Sequence, residues 1–183
     1  ITGIVTAILA GAVFFGGVAR LASVTEKIVP FMAAIYIIGG SYVIACHAGE
    51  LGNAFRLIFV AAFDPQAVMG GALGLTVAKA MQFGVARGLF SNEAGMGSTP
   101  HAHAVAKVEH PAEQGLVAIF GVFATLIVVT FTGIVILVTG VLDFQSTGIA
   151  LTQKAYNVGL GSFGVSFVAI CLFFFAYSTI IGW

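Results

Sequence analysis

The run Arg87-Gly88-Leu89-Phe90-Ser91-Asn92-Glu93-Ala94-Gly95-Met96-Gly97-Ser98 concentrates polar chemistry in an otherwise apolar stretch. Glu93 is the only acidic residue between Asp64 and Glu109, and Ser91, Asn92 and Ser98 flank it with hydroxyl and amide groups. Glycines at positions 88, 95 and 97 favour a local break in a helix, which exposes backbone N–H and C=O groups. At such a break a helix N-terminus would meet a carboxylate, while free carbonyls and a helix C-terminus would hold a cation or an ammonium. A carboxylate at bilayer depth is costly unless paired or hydrated, so it marks a functional site by default. The same spacing also fits a helix that ends near Phe90, with Ser91 and Glu93 in a solvated loop. Length does not separate the two readings, because a helix over 66–89 and one over 75–101 would each reach across a bilayer.

The surroundings of this segment are those of a membrane protein. The 183 residues are 60% hydrophobic and 8% charged, with a mean hydropathy of +1.10, against about 25% charged in a soluble domain. Seven Lys plus Arg and seven Asp plus Glu are too few to keep a globule of this size in water, so lipid must solvate most of the surface. The net charge of zero gives nothing for nucleic acid to bind. Cys46 and Cys171 sit in apolar runs and read as small buried hydrophobes rather than as a disulfide or metal ligands. The opening residues read as offering no signal peptide to exclude, because no basic n-region precedes their apolar run. Ile1-Thr2-Gly3-Ile4-Val5 and Ile180-Ile181-Gly182-Trp183 both fall inside apolar helical sequence, which reads as a single transmembrane domain, residues 1–183, incomplete at both ends.

Hydropathy predicts an all-α integral membrane protein with about five transmembrane helices. The first is Ile1 to Ser23, followed by a polar turn with Arg20, Glu26 and Lys27 that Pro30 closes. Val29 to Cys46 is the second, with Gly39-Gly40 allowing close helix approach. From His47 to Gly74 the apolar residues Leu51, Phe55, Ile58, Phe59 and Ala62 recur at helical spacing among Glu50, Asn53, Arg56 and Asp64. That pattern predicts an amphipathic helix at the membrane surface, ended by Asp64-Pro65 and followed by a break at Gly70-Gly71. A third span starts near Leu75 and carries Lys79 and Arg87 into the polar run. Leu116 to Val141 is the fourth, Asp143 to Gly161 a polar segment, and the fifth begins near Phe163. Loop charges are too few to orient the spans by the positive-inside rule.

The polar run, continued by Pro100-His101-Ala102-His103-Ala104 and His110-Pro111-Ala112-Glu113-Gln114-Gly115-Leu116, closely resembles the signature of the sodium:alanine (alanine or glycine:cation) symporter family. Weaker similarity extends through Gly17-Val18-Ala19-Arg20-Leu21-Ala22, Val29-Pro30-Phe31-Met32-Ala33, Ala61-Ala62-Phe63 and Phe175-Ala176-Tyr177-Ser178-Thr179. The resemblance implies two inverted five-helix repeats of the leucine-transporter group, with these residues forming helices 4–8. It implies a multi-pass protein of the plasma (inner) membrane that carries alanine or glycine with Na+ as coupling ion. On that mapping Phe90, Ser91, Asn92, Glu93, Ala94, Gly95, Gly97 and Ser98 line the substrate cavity, and Ser178 and Thr179 offer hydroxyl oxygens to sodium. Hydroxyl groups on a membrane helix also bond back to their own carbonyls, the alternative for these two residues. The family's Asp-Thr pair on the helix after the signature is replaced here by Phe123-Ala124-Thr125, which puts a coupling role for that carboxylate in doubt.

Other polar residues carry less. His101, His103 and His110 lack the thiolates or spaced carboxylates of a metal site and fit a solvated loop. Lys79 has a stem long enough to snorkel to the surface. Arg87 and Glu93, six residues apart, lie on different faces of a continuous helix, so their pairing would need a break. An intramembrane enzyme built on Ser91 or Glu93 lacks a nucleophile elbow. A channel or a proton-coupled carrier remains the alternative to sodium symport, and only transport against a gradient separates a carrier from a channel.

Overall fold

A computed structural model describes residues 2–63, 74–142 and 146–182. Asp64-Pro65, Gly70-Gly71 and Asp143, where the sequence predicts helix ends, lie outside the described residues. Every described element is helical: α1 (Thr2–Phe14), α2 (Gly17–Cys46), a 3-10 turn (Ala48–Glu50), α3 (Leu51–Phe63), α4 (Gly74–Ser91), α5 (Ser98–Ala104), α6 (Pro111–Val138), α7 (Ile149–Leu160) and α8 (Ser162–Gly182). The chain forms two compact units, one of residues 1–48 with 135–183 and one of residues 49–134.

Three described helices are long and apolar enough to cross a membrane, α2, α6 and α8, rather than the five expected. The first expected span is interrupted at Phe15-Gly16, where Gly17 takes φ 69°, and α1 is left with 13 residues. The expected polar turn at Arg20, Glu26 and Lys27 is absent, because α2 runs unbroken for 30 residues with Pro30 inside it. The reason is the stripe beneath those charges. Leu21, Val24 and Ile28 pack on the core of Ala10, Val13, Tyr177 and Ile181, and the stripe continues as buried Met32, Tyr36, Gly40 and Val43. Spacings of three and four keep all seven on one helical face, while Arg20, Glu26 and Lys27 project from the others. Thirty residues span about 45 Å, well beyond a hydrocarbon core of about 30 Å, so the charged end extends past the apolar part. The third expected span is described only from Gly74 onward. Here α4 has 18 residues, but Lys79, Gln82 and Arg87 leave it outside the apolar set.

In the first unit, tyrosines join the helices through backbone carbonyls. Tyr177 on α8 donates its hydroxyl to Leu9 O on α1 at 3.1 Å, and buried Tyr156 on α7 donates to Tyr36 O on α2 at 3.4 Å. Burial pushes the Tyr156 phenol well above its ordinary range, so it stays a neutral donor. Its ring packs 5.6 Å from Tyr36 and 5.5 Å from Phe167, centroid to centroid. The supposedly polar stretch before α8 thus contains a packed helix, α7. Its periodicity was masked by Thr152, Gln153, Lys154 and Asn157 around buried Ala155 and Tyr156. From α7 the chain turns into α8 at Gly161, φ 62° and ψ −154°, a region open essentially to glycine alone. Gly164 then packs directly on the backbone of Tyr156 and Asn157.

In the second unit, α3 realises the expected amphipathic helix. Phe55, Ile58 and Phe59 are exposed on it, and Asn53 donates to Glu50 Oε2 at 2.9 Å. Along the apolar helices hydroxyls bond inward to the preceding turn, as Thr6, Thr25, Thr125, Thr132 and Thr139 do at 2.8–3.0 Å. Lipid offers no other partner.

Candidate functional site

At its C-terminus α4 ends in a Schellman turn, and α5 starts after it. Ala94 N–H bonds to Leu89 O at 2.9 Å and Glu93 N–H to Phe90 O at 3.1 Å, the 6→1 and 5→2 pair of that motif. Asn92 adds its backbone N–H and its side-chain amide to Gly88 O, at 3.2 and 3.0 Å. Three of the last carbonyls of α4, those of Gly88, Leu89 and Phe90, are therefore satisfied. The residue in the left-handed position is Glu93, with φ 52°, the single described residue other than glycine with positive φ. A side chain there costs about 1–2 kcal/mol compared with right-handed backbone, so glycine would sit more easily.

The carboxylate that this position carries folds toward α5. Ser98 Oγ and Thr99 Oγ1 both donate to Glu93 Oε2, at 2.6 and 2.8 Å. Gly95 (φ 81°) and Gly97 (φ 85°) make the intervening reversal, and Met96 N–H bonds to Glu93 O at 3.1 Å. Glu93 and Ser98 are half-buried, whereas Phe90, Ser91, Ala94, Gly95 and Gly97 are exposed. The structure thus brings Glu93 together with Ser98, and gives Asn92 the task of closing α4. It also adds Thr99, which the sequence reading passed over. Its signal was a second hydroxyl six residues after the only acid of the segment. Arg87 lies over Phe83, its guanidinium carbon 5.9 Å from the ring centroid.

Two of the histidines that follow have structural partners. His110 Nδ1 accepts the Ala112 N–H at 3.1 Å and caps the start of α6, with Pro111 as its first residue. His103 meets the Gln114 amide. Among the described residues no group of three or more His, Cys, Asp and Glu is arranged to hold a metal.

Ser178 and Thr179 lie on α8 in the first unit, and both donate to Phe175 O at 2.9 Å. Donation uses the hydroxyl proton and leaves the oxygen lone pairs, the hard-oxygen donor type that an alkali cation prefers. Back-bonding and cation binding are thus compatible here rather than exclusive.

The sodium:alanine symporter family model matches residues 1–183. An uncharacterized transporter of Haemophilus influenzae is 46% identical, over 100% of this chain and 41% of its own length. The sodium/alanine symporter of Methanococcus maripaludis is 43% identical, over 100% and 40%. A sodium/proton-dependent alanine carrier protein of Bacillus sp. (strain PS3) is 40% identical, over 98% and 43%. The chain spans about two fifths of the length of these relatives, all of them transporters or carriers rather than enzymes. With its whole length matched, the chain belongs to the sodium:alanine symporter family.

Proposed function

We propose that these residues are the central part of a single, longer transporter domain that carries a small neutral amino acid, alanine or glycine, across the plasma membrane with Na+. The observation that carries the reading is the break at Asn92–Gly97, where a helix of the signature ends at a half-buried carboxylate and a new one begins. Glu93 supplies negative charge for the substrate ammonium, and the exposed backbone ends around the break supply donors for its carboxylate. Phe90 flanks the entry, Ser91, Asn92 and Ser98 give polar edges, and Ala94, Gly95 and Gly97 leave room for a small side chain only. Ser178 and Thr179 contribute oxygens to the co-transported sodium. The whole follows the leucine-transporter arrangement of two inverted repeats, these helices being its fourth to eighth, with one repeat rocking against the other.

The sodium/proton-dependent naming of the Bacillus relative supports a second reading, in which a proton replaces sodium. Sodium titration of alanine uptake by the intact transporter tests the first. Uptake should rise with sodium, and the Ser178→Ala, Thr179→Ala double variant should need about tenfold more sodium for half-maximal rate, the effect of roughly 1.4 kcal/mol of lost ligation. Uptake indifferent to sodium in the unmodified protein counts against sodium coupling. An unshifted midpoint in the variant removes these two hydroxyls from the ion site.

A further inference from the structure

Glu93 stands where glycine is the easier residue, although glycines follow at 95 and 97, so its position is held by what its side chain does. We infer that Thr99, with Ser98, is a positioning residue that fixes the Glu93 carboxylate over the helix break. The inference rests on the proposed reading that the break lines the substrate path, and it adds a residue that this reading does not contain. Thr99 Oγ1 and Ser98 Oγ converge on one oxygen, Oε2, at 2.8 and 2.6 Å. Two donors from successive residues of α5 hold that oxygen more narrowly than one would. Thr99 is the stiffer of the two, because its branched Cβ restricts χ1 and lowers the cost of holding the hydroxyl in one direction. The pair also ties the end of α4 to the start of α5, so the negative charge and the break move as one piece. Thr99 acts through Glu93 and does not itself contact substrate.

The test uses the intact transporter in proteoliposomes, with Thr99→Val, Thr99→Ser, Glu93→Ala and the Thr99→Val, Glu93→Ala double variant. Thr99→Val keeps the shape and removes the donor. It should raise the KM for alanine about tenfold, the scale of one hydrogen bond to a charged group, with the maximal rate within about twofold. Thr99→Ser should restore the KM, and Thr99→Val should add nothing once Glu93 is alanine. Multiplying losses, a silent Thr99→Val, or a Thr99→Ser variant as poor as valine would each overturn the inference. A second readout is independent of transport. Alkylation of an Ala94→Cys thiol, in a background lacking Cys46, Cys171 and other native cysteines, should change rate at least threefold on Thr99→Val when Glu93 is present and not when it is alanine. If the unmodified protein shows no alanine uptake, the proposed function fails, and the labelling cycle alone upholds or overturns the role of Thr99.

Discussion

Glu93→Ala should raise the alanine concentration needed for half-maximal uptake thirty- to a hundredfold in the intact transporter. The carboxylate accepts hydroxyl hydrogens from Ser98 and Thr99, and in the proposed function it also faces the substrate ammonium. Hydrogen bonds to charged groups contribute about 1.5–3 kcal/mol each. Half-burial and competing water reduce the sum, leaving about 2–3 kcal/mol, and each 1.4 kcal/mol is a factor of ten in affinity. Glu93→Gly separates the charge from the turn. Glycine relieves the left-handed backbone at φ 52° and keeps the Schellman hydrogen bonds. A residue needed only to end α4 would therefore be replaced by glycine without loss. The expected result is that Glu93→Gly transports as poorly as Glu93→Ala while melting above it, since both lose the hydroxyl bonds and only glycine relieves the backbone. Alanine KM and Tm measured on the same purified variants check both halves.

Gly164→Val should prevent recovery of a folded, monodisperse transporter. A Cβ at this position meets the carbonyl of Tyr156 and lies 2.7 Å from the Asn157 nitrogen. These are backbone atoms of α7, held by their own helical hydrogen bonds, and the glycine turn at Gly161 fixes the approach of α8. Neither helix can step aside without breaking the Tyr156 contacts to Tyr36 and Phe167. Overpacking in a tight core costs about 1–3 kcal/mol when side chains can adjust; here they cannot, and a branched residue exceeds that range. Gly159→Ala is the comparison. Its Cβ would meet the two methyls and Cβ of Val43 at 2.6, 2.7 and 3.0 Å, side-chain atoms rather than backbone. That variant should fold with a lowered Tm, as size-exclusion profiles and thermal scans of the two proteins would show.

The contrast between these sites shows how far the sequence could be read. Membrane residence and helical class were legible, because 60% hydrophobic residues leave no other solvent than lipid. A helix end near Phe90 was legible, and α4 stops at Ser91 as both readings of the segment allow, since glycines at 88, 95 and 97 lower the cost of a turn without saying where it falls. Which residue takes the left-handed position was not. Glu93 occupies it against intrinsic preference, and only the hydroxyls of the next helix make that understandable. The continuity of α2 was hidden for another reason. Charge and proline argued for a turn at residues 20–30, while the decisive signal was the stripe from Leu21 to Val43 on the opposite face. Likewise α7 looked polar because only one of its faces is buried. Interruptions in hydropathy mark charged surfaces as readily as helix ends.

The most direct test of the account is uptake of labelled alanine by the intact transporter in proteoliposomes, with an inward sodium gradient, with choline in place of sodium, and with a protonophore. The account predicts accumulation above the outside concentration that vanishes in choline and survives the protonophore. Uptake that merely equilibrates, or accumulation that persists in choline and collapses with the protonophore, would contradict sodium-coupled symport.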